Sequence, residues 1–550
     1  MTRPLDAPVV IAGGGPVGLT LARVLALRGI ASVLVERNET TTRHPKMDIT
    51  NGRSMELFRR LGMHERIRTA GVPEDHPFDI SWVTTLCGDE LTRFRYPTPA
   101  RAREIIRFAN DGSCAREPAL RVSQILIEPV LKSFLDEEPA SSGESPPPAR
   151  TDARFGWAFE SFEQDAAGVD VKIRSSATGE TRTLRCAYLV GCDGGGSRVR
   201  QQLGIELEGA SRVAALFMIH FRSRALDVLQ RFGVAWHYQS LRGTLIAQDD
   251  REIWTLHVPL AAPDEAQRTD PRAALHALAG RAFDAEILVA NAWTPHLLLA
   301  ERYGAGRVWL AGDATHQYIP TGGYGMNTGI GDAFDLGWKL AAVLQGWGGA
   351  GLLASYEAER RPVAARNREA SARHMAVRGE IAKVMLEGLG TDGLGTPDSR
   401  AAVGHAIGAL GNAENESFGI ELGYRYDDSR IICQEPGAAP ALDPVRYAPS
   451  TWPGARLPSV FLKDGRVLHD LLGDGFTALA FGEADATGLA AAARSRGVPL
   501  TMLRVDDAHA RSVCERNLLL VRPDQHVAWR GDAAPTDPLA VIDRARGAAA

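Results

Sequence analysis

The segment Pro8–Glu36 constrains the fold more than any other. Pro8-Val-Val-Ile-Ala-Gly13 is an apolar run of strand length. Gly13-Gly-Gly15-Pro-Val-Gly18 follows it, a G-x-G-x-x-G sequence, and Leu21, Val24 and Leu25 then recur at helical spacing until Gly29. Ala31–Val35 reads as a second strand, ending on Glu36. Strand, glycine turn, helix and acid-tipped strand make a βαβ unit built around a nucleotide. The first glycine makes the turn, the second admits a pyrophosphate, and the third lets helix and strand pack closely. Glu36 stands 18 residues after Gly18, where a carboxylate accepts hydrogen bonds from a ribose diol. Gly13, Gly15, Gly18 and Glu36 are therefore expected to bind a cofactor. Arg37 either meets its phosphates or lies in solvent.

The same logic returns twice. Tyr188-Leu-Val-Gly-Cys-Asp193 is an apolar run with an acidic end, followed by three glycines and a helix start at Ser197. Val308–Ala311 is another apolar run, closed by Gly312-Asp313. A glycine-rich turn, Thr321–Asn327, then leads into helical spacing at Ile330, Ala333, Phe334, Gly337 and Leu340. Backbone N–H groups and the positive end of that helix favour an anion or an electron-rich ring. Asp313 beside them suits a hydroxylated partner such as ribitol or ribose.

At 550 residues the chain has room for three or four domains. A net charge of -5 provides no basic face for nucleic acid. Met1–Pro8 lacks a charged-then-apolar leader pattern, and the longest apolar runs are strand-sized, so no membrane span is expected. The six cysteines show no C-x-x-C spacing, which predicts reduced thiols of a cytoplasmic protein and no metal site. Phe78–Phe94 opens a β layer. It resumes at Val213–Val258, where Trp254, Leu256 and Val258 alternate with Ile253, Thr255 and His257. This predicts a mostly antiparallel sheet with one face over a pocket. His220, His237, Tyr238 and His257 lie on it as candidate substrate contacts. Asp136–Asp152 is polar and low in complexity, a loop. Leu352–Met385 is a helical run, Gly388–Gly395 a break, and a separate α/β domain begins at Tyr424.

GGGPVG with Glu36, CDGGGSRVR, and AGDATHQYIPTGGYGMNTGIGDAFDLGWKL stand in one order. That combination resembles the FAD-dependent aromatic hydroxylases of the para-hydroxybenzoate hydroxylase type. PGARLPSVFLKDGRVLHDLLGDGF and LLVRPDQHVAWRG resemble the thioredoxin-like domain of the phenol hydroxylase branch. The resemblance implies an α/β fold: a Rossmann-like FAD-binding domain (1–79, 116–202 and 301–370), an inserted, mostly antiparallel β substrate domain (80–115 and 203–300), a helical connector (371–423) and a C-terminal thioredoxin-like domain (424–550). It implies hydroxylation of a phenolic or polycyclic aromatic substrate with O2 and NADPH or NADH, through a flavin C4a-hydroperoxide, with NAD(P)H docking transiently. A homodimer is part of the same expectation. Arg53, Arg121 and Gln124 match residues that touch the flavin's phosphates and ribityl chain. Asp193 begins a motif linked to FAD and nicotinamide, and Asp313 holds ribityl hydroxyls. Gly323, Gly325, Met326 and Asn327 run along the isoalloxazine, and Pro320 stands beside the hydroxylation site. Asp48, five residues before Arg53, is the candidate base, or else caps a turn. His316 and Tyr318 either touch substrate or pack under the glycine loop. Two other readings stay open from sequence: Baeyer–Villiger or epoxidising oxygenation of a polyketide, and a non-catalytic FAD-binding interaction protein.

Overall fold

The computed structural model describes residues 4–137, 149–390 and 393–548. Most of the polar loop expected at 136–152 lies outside the described residues, as do two residues of the Gly388–Gly395 break. The strand Ala7–Ala12 is central. It pairs in parallel with Ser32–Glu36 on one side and Thr181–Gly191 on the other. Val9, Val10 and Ile11 are fully buried, as an unbroken apolar run requires in a sheet covered on both faces. Thr151–Phe155 and Val308–Leu310 extend the parallel order outwards. Thr181–Gly191 does two jobs: its first half pairs antiparallel with Val169–Ser175, its second half parallel with Ala7–Ala12. The sequence reads these halves as separate strands. Cys186-Ala187 between them contains no turn former, so the strand runs through.

The helices Pro16–Leu27 and Tyr324–Leu344 lie side by side. A Cβ on Gly329 would sit 2.6 Å from Val17 Cγ2, and one on Gly337 2.5 Å from Val24 Cγ1. Only glycine permits this approach. The matched order, 17 with 329 and 24 with 337, makes the helices parallel and brings both N-termini to the same end of the sheet. The second helix projects about one turn, roughly 6 Å, beyond the first.

The second sheet has seven strands, in the order Glu286–Trp293, Ala215–Arg222, Ile253–Leu260, Gly243–Ala247, His237–Ser240, Ile80–Val83 and Glu90–Phe94. It is antiparallel except where His237–Ser240 meets Ile80–Val83. One face buries Phe217, Ile219, Tyr238, Leu245 and Leu256 against Leu275 and Leu278 of the helix Pro271–Ala279. The register places His220, His237, His257, Thr244 and Asn291 on the other face. The helix Ala354–Leu389 is continuous, so the expected boundary at residue 370 falls inside it. Its last turns, with Ile381 and Met385, pack with Ile80, Trp82 and Trp236, and Val403 and Ile407 of the helix Pro397–Leu410 join them.

The C-terminal sheet runs Leu500–Val505, Phe476–Phe481, Leu518–Val521, Val527–Gly531, one parallel pair followed by an antiparallel hairpin. It docks through buried charge. Arg522 binds Glu359 at 2.6 and 2.8 Å and Asp335 at 3.0 Å, while Lys339 Nζ lies 2.7 Å from Asp335 and 2.6 Å from Glu359. Arg456 grips Glu56 of the helix Gly52–Arg60 through two nitrogens. Burial alone would raise the Glu56 carboxyl, but the charges of Arg456 and Arg53 outweigh it and hold it at about 2. A depressed carboxyl contributes stability that is full above pH 4.5 and lost as pH falls towards 2. We expect roughly 3 kcal/mol to disappear over that window. Urea unfolding of wild type and of Glu56→Gln with pH checks this: the wild-type loss on acidification should be the larger by that amount.

Candidate active site

At the carboxyl ends of the parallel strands three glycine loops converge. A Cβ on Gly13, whose φ is +112°, would meet Cys192 O at 2.2 Å, so the first turn is pressed against the Cys192-Asp193 loop. A Cβ on Gly18 would meet Gly13 O at 2.0 Å. Gly15 differs: no described atom lies within 4 Å of where its Cβ would stand. It precedes Pro16, and no side chain caps the helix that starts there. Gly323, with φ +63°, opens the helix Tyr324–Leu344, again without a side-chain cap, and Gly325 also faces open space. Two uncapped helix N-termini thus lie side by side, each lined by glycine, each offering N–H groups.

Carboxylates surround them. Glu36 Oε2 accepts from Gly14 N at 2.8 Å and Oε1 from Asn38 N at 2.9 Å. Asp193 caps the helix Arg198–Gln202, accepting from Arg198 N at 2.7 Å. Asp313 is exposed to solvent yet ringed by protein, as befits the floor of a cleft, and burial pushes its carboxyl up. Met326 is half-buried. Asn327 donates to Gly323 O at 2.7 Å and Ile49 O at 3.2 Å, and accepts from Asn51 N at 3.0 Å. That amide ties the second helix N-terminus to the segment carrying Asp48. A Cβ on Gly323 would lie 2.4 Å from Ile49 Cγ2. This open, glycine-lined cleft fits FAD: an anion at Gly15, polyols at Glu36 and Asp313, and a flat ring along Gly323–Asn327.

Asp48 points from this segment towards the second sheet. Its Oδ2 accepts from Trp236 Nε1 at 2.5 Å, and His237 Nε2 stands 3.9 Å away. Burial would raise its carboxyl, but His237, Trp236 and the charge of Arg121 together hold it below the usual carboxylate range. His44 Nε2 lies 3.2 Å from Asn291 Oδ1, and Arg378 of the long helix, paired to Glu414, reaches Thr244 Oγ1 at 3.4 Å. Phe78, Trp82, Trp236, Ile49, Ile246 and Tyr96 belong to one apolar cluster beside them. Flat, largely apolar walls with a few polar groups suit an aromatic ring system.

The N-terminal 6–371 match the FAD binding domain family, and residues 450–549 match the C-terminal domain of aromatic-ring hydroxylases. The chain belongs to the FAD-dependent aromatic-ring hydroxylases. This hydroxylase is 39% identical to the FAD-dependent monooxygenase apdD of Emericella nidulans, over 96% of this chain and 87% of that one. Its structure is similar to the rebeccamycin biosynthetic enzyme RebC with reduced flavin (36% identity, TM-score 0.85, all of both chains). It is also similar to the flavin-dependent monooxygenase PieE in complex with FAD and substrate (29%, TM-score 0.85, 99% of this chain and all of that one). The hydroxylase is therefore an FAD-dependent monooxygenase acting on aromatic substrates, and its family uses a reduced pyridine nucleotide and O2. Among the described residues no helix is long and apolar enough to cross a membrane.

Three expected site residues make their described contacts within the protein. Arg53 is buried against the C-terminal domain, donating to Gln525 Oε1 at 2.5 Å and Asp524 O at 2.8 Å. Arg121 forks onto Asp250 at 2.7 Å through both nitrogens and fastens the β domain to the FAD domain. In both, terminal nitrogens of the guanidinium are held by protein acceptors, while Arg121 Nε has no partner among the described residues. Tyr238 is on the apolar face of its sheet, its hydroxyl donating to Gly233 O at 2.7 Å. One residue from His237, it points the opposite way, because strand side chains alternate. Gln124 opens its helix beside Met47, with its amide turned to Glu128. Arg37 is exposed at the rim, and His220 bonds Thr255 Oγ1 at 3.0 Å. His316 is fully buried, bound to Asp332 at 2.8 Å and stacked on Tyr318, so both pack beneath the loop. Trp236, Asn291, Trp293 and Arg378 were not signalled by any motif. Trp236 and Arg378 come from separate segments, while Asn291 and Trp293 share the strand Glu286–Trp293, and only the sheet register could have indicated Asn291.

Proposed function

We propose that the hydroxylase oxygenates a phenolic, fused-ring substrate held between the Asp48 segment and the polar face of the second sheet. The observation that carries this reading is the place of Asp48: next to Ile49, which touches Gly323, and bonded across the pocket to Trp236. Bound FAD supplies transfer of two electrons from NADPH or NADH to O2 and delivery of one oxygen atom as an electrophile. The chain does the rest. Gly13, Gly15, Gly18 and Glu36 bind pyrophosphate and ribose, Asp193 and Asp313 border the same cleft, and the N–H groups of Gly323–Asn327 hold negative charge on the reduced ring. Exposed Pro320, whose carbonyl accepts from Gly323 N at 2.9 Å, borders the reacting carbon. Asp48 accepts the phenolic hydroxyl. Its low basicity suffices, because that proton becomes acidic only as the ring carbon attacks.

The likeness to relatives described as polyketide hydroxylases (34% and 32% identity) and the apolar cluster beside Asp48 support a substrate larger than phenol. Six free thiols support a cytoplasmic setting, and the uncovered Ile105 and Phe108 on the helix Pro99–Ala109 support a homodimer. The experiment is NADPH and NADH oxidation by the yellow protein across mono-, bi- and tricyclic phenols, with product and peroxide measured together. A fused-ring phenol should speed oxidation and gain one oxygen. Faster turnover of simple phenols than of any fused ring would overturn the substrate reading.

A further inference from the structure

His257 lies in the polar row of the second sheet, level with Met218 and Asn291 on one side and Thr244 on the other. Its Nδ1 lies 3.2 Å from Trp293 Nε1, with the two rings edge to face at 73°. An indole N–H only donates. Nδ1 must therefore accept, which leaves the proton of the neutral ring on Nε2. No described hydrogen bond takes up that second nitrogen, and the ring is half-buried. The ring stays neutral at pH 7: burial first, then the charges of His237, Arg378 and His44, push it down to about 4 against the pull of Asp48. His237 and His257 stand on the same face of the sheet, two strands apart, with Asp48 facing that side through Trp236. Asp48 there is an acceptor, already holding Trp236. His257 Nε2–H has no described acceptor, and His237 Nε2, likewise without a bond, is turned to Asp48 at 3.9 Å.

The geometry points to His257 as the specificity-determining donor of this pocket, a neutral Nε2–H locked in place by Trp293 that receives a ring carbonyl or similar acceptor oxygen of the substrate. Resting on the phenolic reading above, it narrows the substrate class to hydroxylated ring systems that carry a second oxygen, a ketone or quinone, apart from the phenol. The phenol faces Asp48 and the carbonyl faces His257. A ring without the carbonyl leaves the His257 N–H desolvated and unpaired, and such a site discriminates against the analogue that lacks the partner. Trp293 is a positioning residue: without its N–H, the proton is free to move to Nδ1 and the pocket face of the ring becomes an acceptor in part of the molecules.

The test compares two probes of one skeleton, 6-hydroxy-1-tetralone and 5,6,7,8-tetrahydro-2-naphthol, titrated calorimetrically into FAD-loaded enzyme. Wild type should bind the tetralone about five- to tenfold more tightly. His257→Phe should bind both alike. His257→Gln, whose amide still donates, should restore part of the preference, and Trp293→Phe should reduce it by about half or more. A preference that survives His257→Phe would overturn the assignment, as would a wild type without preference, including one that binds neither probe. NADPH and NADH oxidation is followed in the same samples. A tetralone preference without hydroxylated product would sink the phenolic reading and leave the donor standing. Hydroxylation with no preference would do the reverse.

Discussion

Asp48→Asn lowers kcat/KM for phenol hydroxylation by about 100-fold, within the range of a lost general base, while FAD stays bound. Asparagine keeps an oxygen for Trp236 Nε1–H, now 2.5 Å from Asp48 Oδ2, so the contact across the pocket survives. What it removes is the negative charge and the capacity to take the phenolic proton. NAD(P)H oxidation should continue, with peroxide replacing hydroxylated product, because the chain's contacts to the cofactor do not include this side chain. Product and peroxide measured in one assay decide the point. Unchanged coupling would reduce Asp48 to a structural link between segment and sheet. The pH profile gives a second reading. Because the carboxyl is held below its ordinary range, wild-type hydroxylation should not fall through pH 5 to 6 on account of Asp48.

Two glycine substitutions should separate fold from cofactor. A Cβ on Gly18 would stand 2.0 Å from the carbonyl oxygen of Gly13, so Gly18→Ala must open the turn. Overpacking of this kind costs about 1–3 kcal/mol of stability. We expect a lower melting temperature and FAD affinity down at least 100-fold, about 2.7 kcal/mol. Gly15→Ala meets no described atom within 4 Å, and Gly15 has φ -77° and ψ -177°, which alanine adopts freely. That variant should melt like wild type as apoprotein, yet lose FAD affinity, since the methyl occupies the space the pyrophosphate needs. Melting curves of apoprotein, together with FAD titration by fluorescence quenching, report the two effects separately. Full FAD affinity in Gly15→Ala would mean that the pyrophosphate does not approach this turn.

The nucleotide fold and the cofactor are legible in the sequence. Gly13 and Gly312 carry information because their positive φ is a local property of a turn, and Gly18 because its close contact is with Gly13 of the same turn. The apolar run Pro8–Ala12, the acidic ends at Glu36 and Asp313 and the alternation at Ile253–Val258 are local in the same sense. What the fold adds is the long-range partner of each charge. Arg53 and Arg121 sit in motif-like positions, but an arginine's role depends on which acceptors meet its fork. Those acceptors, Gln525 and Asp250, are 472 and 129 residues away. Tyr238 and His237 differ by one position and face opposite sides of a sheet, which no composition reveals without the register. The proposed pocket draws on Asp48, Trp236, His257, Trp293 and Arg378. Their meeting depends on a continuous helix, a seven-stranded register and a bonded Asn327, long-range contacts that a linear reading does not hold.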